Sequence, residues 1–329
     1  MKNLTIVILT FNEEANIDNC LDSIAAIDAP VFVVDSFSTD RTLGILQRRG
    51  VPYVQHEFKN YAAQRNWAQQ NLPQKTEWVL HLDAGETMLP GMTRWINEDF
   101  DPHDPAVNGY MFPRRAVFLG KWMRFGGYHP IYHLRLYRRS AGRCEHKVYD
   151  QHFVVEGPTR KAGKGAHLAD GVMSSLRDFT VSHARWAVFE AVELIISQDD
   201  NRQGGSGDVK VRLFGNPIER RRWFKNNVFQ RLPLFVRSIF YFLHRYFIKL
   251  GILDGVRGLI FHVLQGFWFR FLVDATVYEI RLEMKHRPLA KIVAAKYGLD
   301  INKFLHQSPS DDGTTNHDEI PGSLALSDA

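Results

Sequence analysis

Three short apolar runs in the N-terminal third of the chain each end in a cluster of side chains able to do chemistry. Leu4–Thr10 leads into Phe11, Asn12, Glu13 and Glu14; the run at 31–34 leads into Asp35, Ser36, Phe37, Ser38, Thr39 and Asp40; the run at 78–82 leads into Asp83, Ala84, Gly85 and Glu86. Carboxylates only accept hydrogen bonds, so they can hold an N–H edge, and together with phosphate and water they can hold a divalent ion. Taken one at a time, Asp, Asn, Ser and Thr after a strand are ordinary turn and cap residues. Three such clusters in succession point to a site, because in an open parallel sheet ligands bind outside the carboxyl ends of the strands.

The elements that must position these clusters follow from the pattern between them. The three runs are rich in Val, Ile and Leu without strict alternation, as expected of strands covered on both faces. Asn12 is expected to cap a helix with Glu13 and Glu14 in its first turn and Ile17, Leu21 and Ile24 inward. Ser38 or Thr39 caps the next, with Leu43 and Leu46 inward and Gly50 after its end. A third helix is expected from about Tyr61 to Asn71, stopping before Pro73. Strands alternating with helices predict an α/β fold with a parallel, helix-covered sheet. From 101 to about 165 the texture changes to short strands and turns around a cleft. Residues 204–207 read as a flexible loop, 217–287 as a basic, aromatic helical region and 307–329 as a disordered tail.

Length and composition narrow the possibilities. A chain of 329 residues with 45% apolar content buries a full core, enough for one large domain and an appended unit or for two domains. Cys20 and Cys144 are far apart and give neither a disulfide framework nor zinc-ligand spacing. The fourteen histidines form no ligand cluster in helical context; His129 and His133 are four apart but flank a proline. The absence of Gly-x-Gly-x-x-Gly after the first strand and of a Walker loop argues against a dinucleotide oxidoreductase or a P-loop nucleotidase. Leu4–Thr10 is too short for a signal-peptide core and reads as the first strand of a cytosolic domain. The net charge of +5 is unevenly spread: residues 1–100 hold 8 Lys and Arg against 13 Asp and Glu, whereas 201–306 hold 19 against 7. An anionic surface is the expected partner of that basic segment, with no sign of nucleic-acid binding.

The Thr-Phe-Asn-Glu turn at 10–13, the Asp-Ser-x-Ser-x-Asp at 35–40 and the Asp83 to Glu86 element together resemble the family 2 glycosyltransferases of the GT-A fold. Gly126, Gly127 and Tyr128, followed by Arg135, Leu136, Tyr137, Arg138 and Arg139, are similar to the lipopolysaccharide-core glucosyltransferases among them. The resemblance covers roughly the first 170 residues and implies a catalytic domain over 1–200; composition adds a basic aromatic, membrane-associating region over 208–306 and a disordered tail over 307–329. It implies that Thr10, Asn12 and Glu14 line a nucleotide pocket and that Asp35 accepts a hydrogen bond from the base. Asn60, Gln64, Arg65 and Asn66 fall where such enzymes carry a Gln-Arg-Asn signature, which brings Arg65 to the diphosphate and Asn66 beside the nucleotide. Asp83 stands at the start of the family's Asp-x-Asp element, whose second Asp is here Gly85, so Mg²⁺ or Mn²⁺ is expected on Asp83 with help from Glu86.

Inverting sugar transfer needs a general base beyond the metal-binding strand, and the candidates are Asp150 and Glu145, with His146 and His152 behind them. Downstream, the charges at Arg237, Arg245, Lys249, Arg257 and Arg270 break up an aromatic, apolar stretch, so no uninterrupted run reaches the roughly 18 to 20 residues of a bilayer span. Interfacial amphipathic helices are expected there, with Arg220, Arg221 and Arg222 as a patch for anionic lipid. The expected enzyme is peripheral at the cytoplasmic face of a membrane. It would move a sugar from a nucleotide sugar, UDP-linked by preference, to a lipid-linked glycan in polysaccharide or lipopolysaccharide synthesis. Transfer to a protein side chain, or a non-catalytic membrane adaptor on the same fold, are the alternatives.

Overall fold

The computed structural model describes residues 3–145, 147, 149–171, 175–200, 209 and 211–301. The loop at 204–207, His146 and the tail at 307–329 lie outside the described residues. In chain order the elements are β1 (Leu4–Thr10), α1 (Ile17–Ile24), β2 (Val31–Asp35), α2 (Thr42–Arg48), β3 (Tyr53–Gln55), α3 (Tyr61–Gln70), β4 (Trp78–Asp83), β5 (Glu86–Met88) and α4 (Pro90–Glu98). They continue as β6 (Gly109–Phe118), β7 (Lys121–Trp122), β8 (Ile131–Arg138), β9 (Gly142–Cys144), β10 (Phe153–Val155), β11 (Thr159–Lys161) and β12 (Leu168–Gly171). Helices α5 (Leu176–Asp200), α6 (Pro217–Asn227), α7 (Val236–Leu243), α8 (Gly255–Phe261), α9 (Phe269–Met284) and α10 (Leu289–Tyr297) complete the chain.

The main sheet runs β3-β2-β1-β4-β8-β6-β12-β5, with β7 and β11 on the flanks of β6. Its first four strands are parallel; β8 then reverses against β4, and β6 against β8. Successive side chains of a strand point to opposite faces, and here both faces are dry. Leu4, Ile6 and Ile8 join Ile17, Leu21, Ile24, Leu46 and Ile96 on one side, while Val7 packs with Val34, Ala62 and Ala68 on the other. The parallel register sets Thr10 beside Asp35 and Leu9 beside Asp83, so the three polar clusters emerge along one edge.

Two local expectations change. Helix α1 begins at Ile17, not after Asn12, because Asn12 adopts a left-handed φ of 56° and uses its side-chain oxygen to accept the Thr39 N–H. Helix α2 begins at Thr42, where the Asp40 carboxylate accepts the Thr42 N–H; Ser38 and Thr39 are held in the preceding loop. The third helix starts as expected, with the Asn60 side chain accepting from Ala63 N–H.

The C-terminal helices are fastened to the sheet rather than strung after it. Ala187, Ala191 and Ile195 of α5 share a core with Phe269, Val273, Val277 and Ile280 of α9. Asp254, fully buried, accepts the Arg124 and Phe125 N–H groups at 3.2 and 3.0 Å, and its carbonyl takes the Lys121 ammonium at 2.6 Å. His262 is buried against Gly126, where a Cβ would stand 2.0 Å from the ring, so only glycine fits, and its φ of +70° asks for glycine as well. The Arg245 guanidinium donates to the Gly126 carbonyl at 2.6 Å across the same joint.

Gly251–Met284 forms one helical rod of 34 residues, passing through a 3₁₀ turn and a π segment, and by length and composition it could cross a membrane. Charges at Asp254, Arg257, Arg270 and Asp274 interrupt its apolar sequence, as expected, but not the helix itself. Two of the charges in its second half turn inward and are neutralised: Arg270 donates to Glu190 at 2.7 Å, and Asp274 accepts from Arg237 at 2.7 Å.

Candidate active site

At the ends of β1 and β2 the expected pocket residues do converge, and they are bonded chiefly to one another. Asp35 is fully buried; one oxygen accepts the hydroxyls of Thr10 and Ser38, and the other accepts the Ser38 N–H at 2.8 Å and Gln55 at 3.2 Å. Glu14 accepts the backbone and side chain of Arg41, each at 3.0 Å, and Asn12 is held by Thr39 and Ser38. The two loops are thereby zipped together. The hydrogen bond to a base expected of Asp35 is closed off here, since its four acceptor sites are filled. What the zipped loops present to solvent is aromatic: Phe11 and Phe37 are 57% and 54% exposed, and Phe37 is held at a left-handed φ of 61°.

Asn66 is corrected from pocket residue to brace: its amide donates to the Cys144 carbonyl at 3.0 Å and accepts the Cys144 N–H at 2.8 Å. Gln64 is likewise committed, to His56 at 2.7 Å and Ser36 at 3.2 Å. Of the signature on α3, Arg65 alone reaches the end of β4.

There it meets a charge cluster, buried at Arg65, Arg135 and Glu86 and partly exposed at Asp83, that the spacing of these residues along the chain does not reveal. Asp83 receives Arg65 on one oxygen and Arg135 on the other, both at 2.7 Å. The same Arg135 nitrogen reaches Glu86 at 2.6 Å, and the second Glu86 oxygen accepts the Asp83 N–H at 3.1 Å. Burial works against ionising Asp83, but Arg135 and Arg65 outweigh it and hold the carboxyl far below its usual range. Burial pushes Glu86 up, helped by the Asp83 charge and opposed by Arg135. Arg135 could have been noticed as a lone charge inside the strand sequence His-Leu-Arg-Leu-Tyr, where a two-sided core leaves no solvent to receive it.

This geometry corrects the expectation that Asp83 and Glu86 share a divalent ion. Glu86 is buried behind Arg135, and Gly85 contributes no ligand. Among the described residues no group of three or more His, Cys, Asp or Glu side chains could hold a metal. An ion on the exposed edge of Asp83 would also stand close to two guanidiniums; unit like charges about 4 Å apart repel by about 4 kcal/mol at an effective dielectric near 20. The residues present do not fit the ion.

The two carboxylates expected to serve as base part company. Glu145 has no exposed surface and forms a double contact with Arg222 at 2.6 and 2.7 Å while also accepting the His152 N–H at 3.0 Å. Burial alone would raise its pKa, but His152 and Arg222 bring it down to about 2. It is corrected from base to structural ion pair, and Arg222 from lipid contact to its buried partner. Asp150, on the turn between β9 and β10, keeps a left-handed φ of 58° and a side chain 46% exposed. Lys225 of α6 holds it at 3.0 Å. Burial of the surroundings disfavours its charge, yet Lys225, His152 and Arg221 keep the carboxyl well below the ordinary range.

Behind Asp150 lies a seam of cations between sheet and helices. Lys225 also contacts Glu190 at 3.3 Å, Arg270 contacts Glu190 at 2.7 Å, and Arg245 donates to the Tyr241 hydroxyl. Burial opposes ionisation of Tyr241, but Arg245, Arg270 and Arg221 together lower it to about 8, the mark of a positive local potential.

The Glu145 pair gives a pH signature. Its carboxyl titrates near 2 when folded against 4.5 when free, so its stabilisation is complete above about pH 5 and is lost as pH falls toward 2. Arg222→Met should cost roughly 3–5 kcal/mol at neutral pH by stranding the buried charge, and should flatten this acid slope. Urea unfolding followed from about pH 6 to about pH 3 measures both effects; a variant as stable and as acid-sensitive as wild type would refute the assignment.

Comparison with known proteins gives the family. The family model for glycosyl transferase family 2 matches residues 5–153. An uncharacterized glycosyltransferase of Rickettsia typhi is 32% identical over 315 residues, covering 93% of this chain and 97% of that protein. One of Rickettsia bellii is 34% identical over 87 residues, 26% of this chain and 29% of that protein. Among solved structures, residues 1–349 of Staphylococcus aureus TarS with UDP-GlcNAc align at 15% identity and a TM-score of 0.40, over 87% of this chain and 93% of that one. Glucosyl-3-phosphoglycerate synthase from Mycobacterium tuberculosis, in complex with Mn²⁺, UDP and glucosyl-3-phosphoglycerate, aligns at 19% identity and a TM-score of 0.29, over 35% and 44%. Similarity to the Rickettsia typhi protein along nearly the whole of both chains, with the family match over the strands that carry Thr10, Asp35 and Asp83, makes this chain a family 2 glycosyltransferase of the GT-A fold.

Proposed function

We propose that the enzyme takes a sugar from a nucleotide sugar, a UDP-sugar in the first instance, and passes it with inversion to a hydroxyl of a lipid-linked glycan at the cytoplasmic face of a membrane. The observation that supports the reading is the state of Asp150: a half-exposed carboxylate on a strained turn, held by Lys225, three residues before Phe153, whose ring lies 5.3 Å from the Arg65 guanidinium. Phe11 and Phe37 would receive the base, and Arg65 and Asp83 would stand nearest the diphosphate. No divalent ion enters this reading, since both Asp83 oxygens are already engaged by Arg65 and Arg135.

In this reading the acceptor oxygen attacks the anomeric carbon from the face opposite the leaving diphosphate. The hydroxyl proton becomes acidic as the new bond forms and passes to Asp150. A carboxylate kept ionised by Lys225 is in the form that accepts it at neutral pH, although a low pKa makes it a modest base. Asp150→Asn should lower kcat by about a hundredfold or more and leave donor affinity within a factor of about two. Transfer rates and UDP binding by calorimetry check this, and an undiminished kcat would remove Asp150 from the role.

The membrane part of the proposal rests on one face of the helical region. Ile239, Phe240, Leu243, Phe247, Ile248, Leu250, Leu253 and Val256 are exposed, with the exposed cations Arg231, Lys249 and Arg257 on the same stretch. Apolar side chains beside basic ones suit an anionic leaflet. Replacing Ile248 and Val256 together by Glu should weaken flotation with phosphatidylglycerol-containing vesicles by about tenfold or more. Unchanged flotation, or none by the wild type, would refute it.

A further inference from the structure

The charge cluster at the end of β4 leaves the leaving group without its usual counter-ion, and the molecule supplies another. In sugar transfer from a nucleoside diphosphate, the bond from the anomeric carbon to the diphosphate oxygen breaks and its electron pair departs with the nucleotide. Meanwhile the bond to the acceptor oxygen forms, and the acceptor proton goes to a carboxylate. Positive charge must meet the diphosphate as it leaves. The Asp-x-Asp element that would hold a divalent ion has lost its second carboxylate at Gly85, both oxygens of Asp83 are taken by Arg65 and Arg135 at 2.7 Å, and Glu86 is spent on Arg135 at 2.6 Å. The loss at Gly85 is not forced by packing, because a Cβ there would meet nothing within 4 Å.

In the seam around Asp150, four cations from α6 and the helices after it face two carboxylates: Arg221, Lys225, Arg245 and Arg270 against Asp150 and Glu190. Within this set Arg221 is exposed and has no hydrogen-bonding partner among the described residues. Its charge acts on Asp150 and on His133, the residue two before Arg135 on β8, and it lies one residue before Arg222, which is bound to Glu145 at 2.6 and 2.7 Å on the chain that leads to Asp150. Arg245 adds a buried Nη2 that donates to nothing among the described residues.

We propose that this enzyme transfers its sugar without a divalent ion, and that fixed guanidinium groups, with Arg221 foremost, meet the departing diphosphate. The proposal rests on the nucleotide-sugar reading above for its substrate, but the question of the metal can be decided separately. A guanidinium matches phosphate with paired N–H donors and stays charged at any working pH. Asp83 and Glu86 then act as the anchors that orient Arg65 and Arg135, not as ligands.

The test uses the purified full chain. Turnover of UDP-sugars should be the same within about twofold in excess EDTA as in Mg²⁺ or Mn²⁺. Mn²⁺ titrations followed by electron paramagnetic resonance should show no binding by the wild type, alone or beyond what UDP itself binds. Gly85→Asp, which restores a carboxylate in open space, should bind Mn²⁺. Arg221→Ala should lower kcat on the order of a hundredfold, with Arg221→Lys recovering part of the loss. Abolition of wild-type turnover by EDTA with rescue by Mn²⁺, or tight Mn²⁺ binding by the wild type, would overturn the proposal; an unaltered kcat in Arg221→Ala would overturn the role of that residue. Failure of UDP and every UDP-sugar to bind would count against the donor reading, while the Mn²⁺ titration of protein alone would still decide the metal.

Discussion

The guanidinium of Arg135, shared between Asp83 and Glu86 inside the sheet, is the contact on which the site depends. Moving an ion from water into a protein interior carries an effective penalty of several kcal/mol even after relaxation, so Glu86, Arg65 and Arg135 can be buried there only as a mutually neutralising set with the partly exposed Asp83. The set is held from three directions: Arg65 arrives from α3, Arg135 from β8, and the carboxylates from β4 and β5. It therefore fixes where the parallel half of the sheet meets the antiparallel half. Removing any one member strands the others, which gives the cluster a rigidity that hydrophobic packing alone would not supply.

From that fixed point outward the molecule is organised by polar locks rather than by loose pockets. The Thr10–Asp35–Ser38 network ties the first two strand ends together, and Asn66 pins the strand after β8 to α3. Glu145 and Arg222 bring α6 onto the turn that carries Asp150, so the proposed base and its Lys225 partner are placed by a buried ion pair one helical turn away. Asp254 and His262 then fasten the long C-terminal rod. The helical region is thus part of the site's construction.

Much of this was legible in the sequence, and what was not has identifiable causes. The strands at Leu4–Thr10 and the two that follow could be read because two-sided burial demands continuous apolar runs, and the family resemblance followed from the polar clusters at their ends. The roles of those polar residues were less legible: Asp35, Asn66 and Glu145 are types that ligands need and that structures need equally, and only three-dimensional partners tell the two apart. Arg222 looked like surface charge because its neighbours Arg220 and Arg221 are exposed and its partner lies 77 residues away. The rod from Gly251 to Met284 was hidden by Arg270 and Asp274, whose partners Glu190 and Arg237 come from α5 and α7.

The most direct test of the central claim is calorimetric binding of UDP to wild type and to Arg135→Met, with circular dichroism and a thermal melt on both. If the shared guanidinium organises the donor site, the variant should keep its fold at a lower melting temperature and lose UDP affinity by about tenfold or more. A folded variant that binds UDP as tightly as wild type would contradict it.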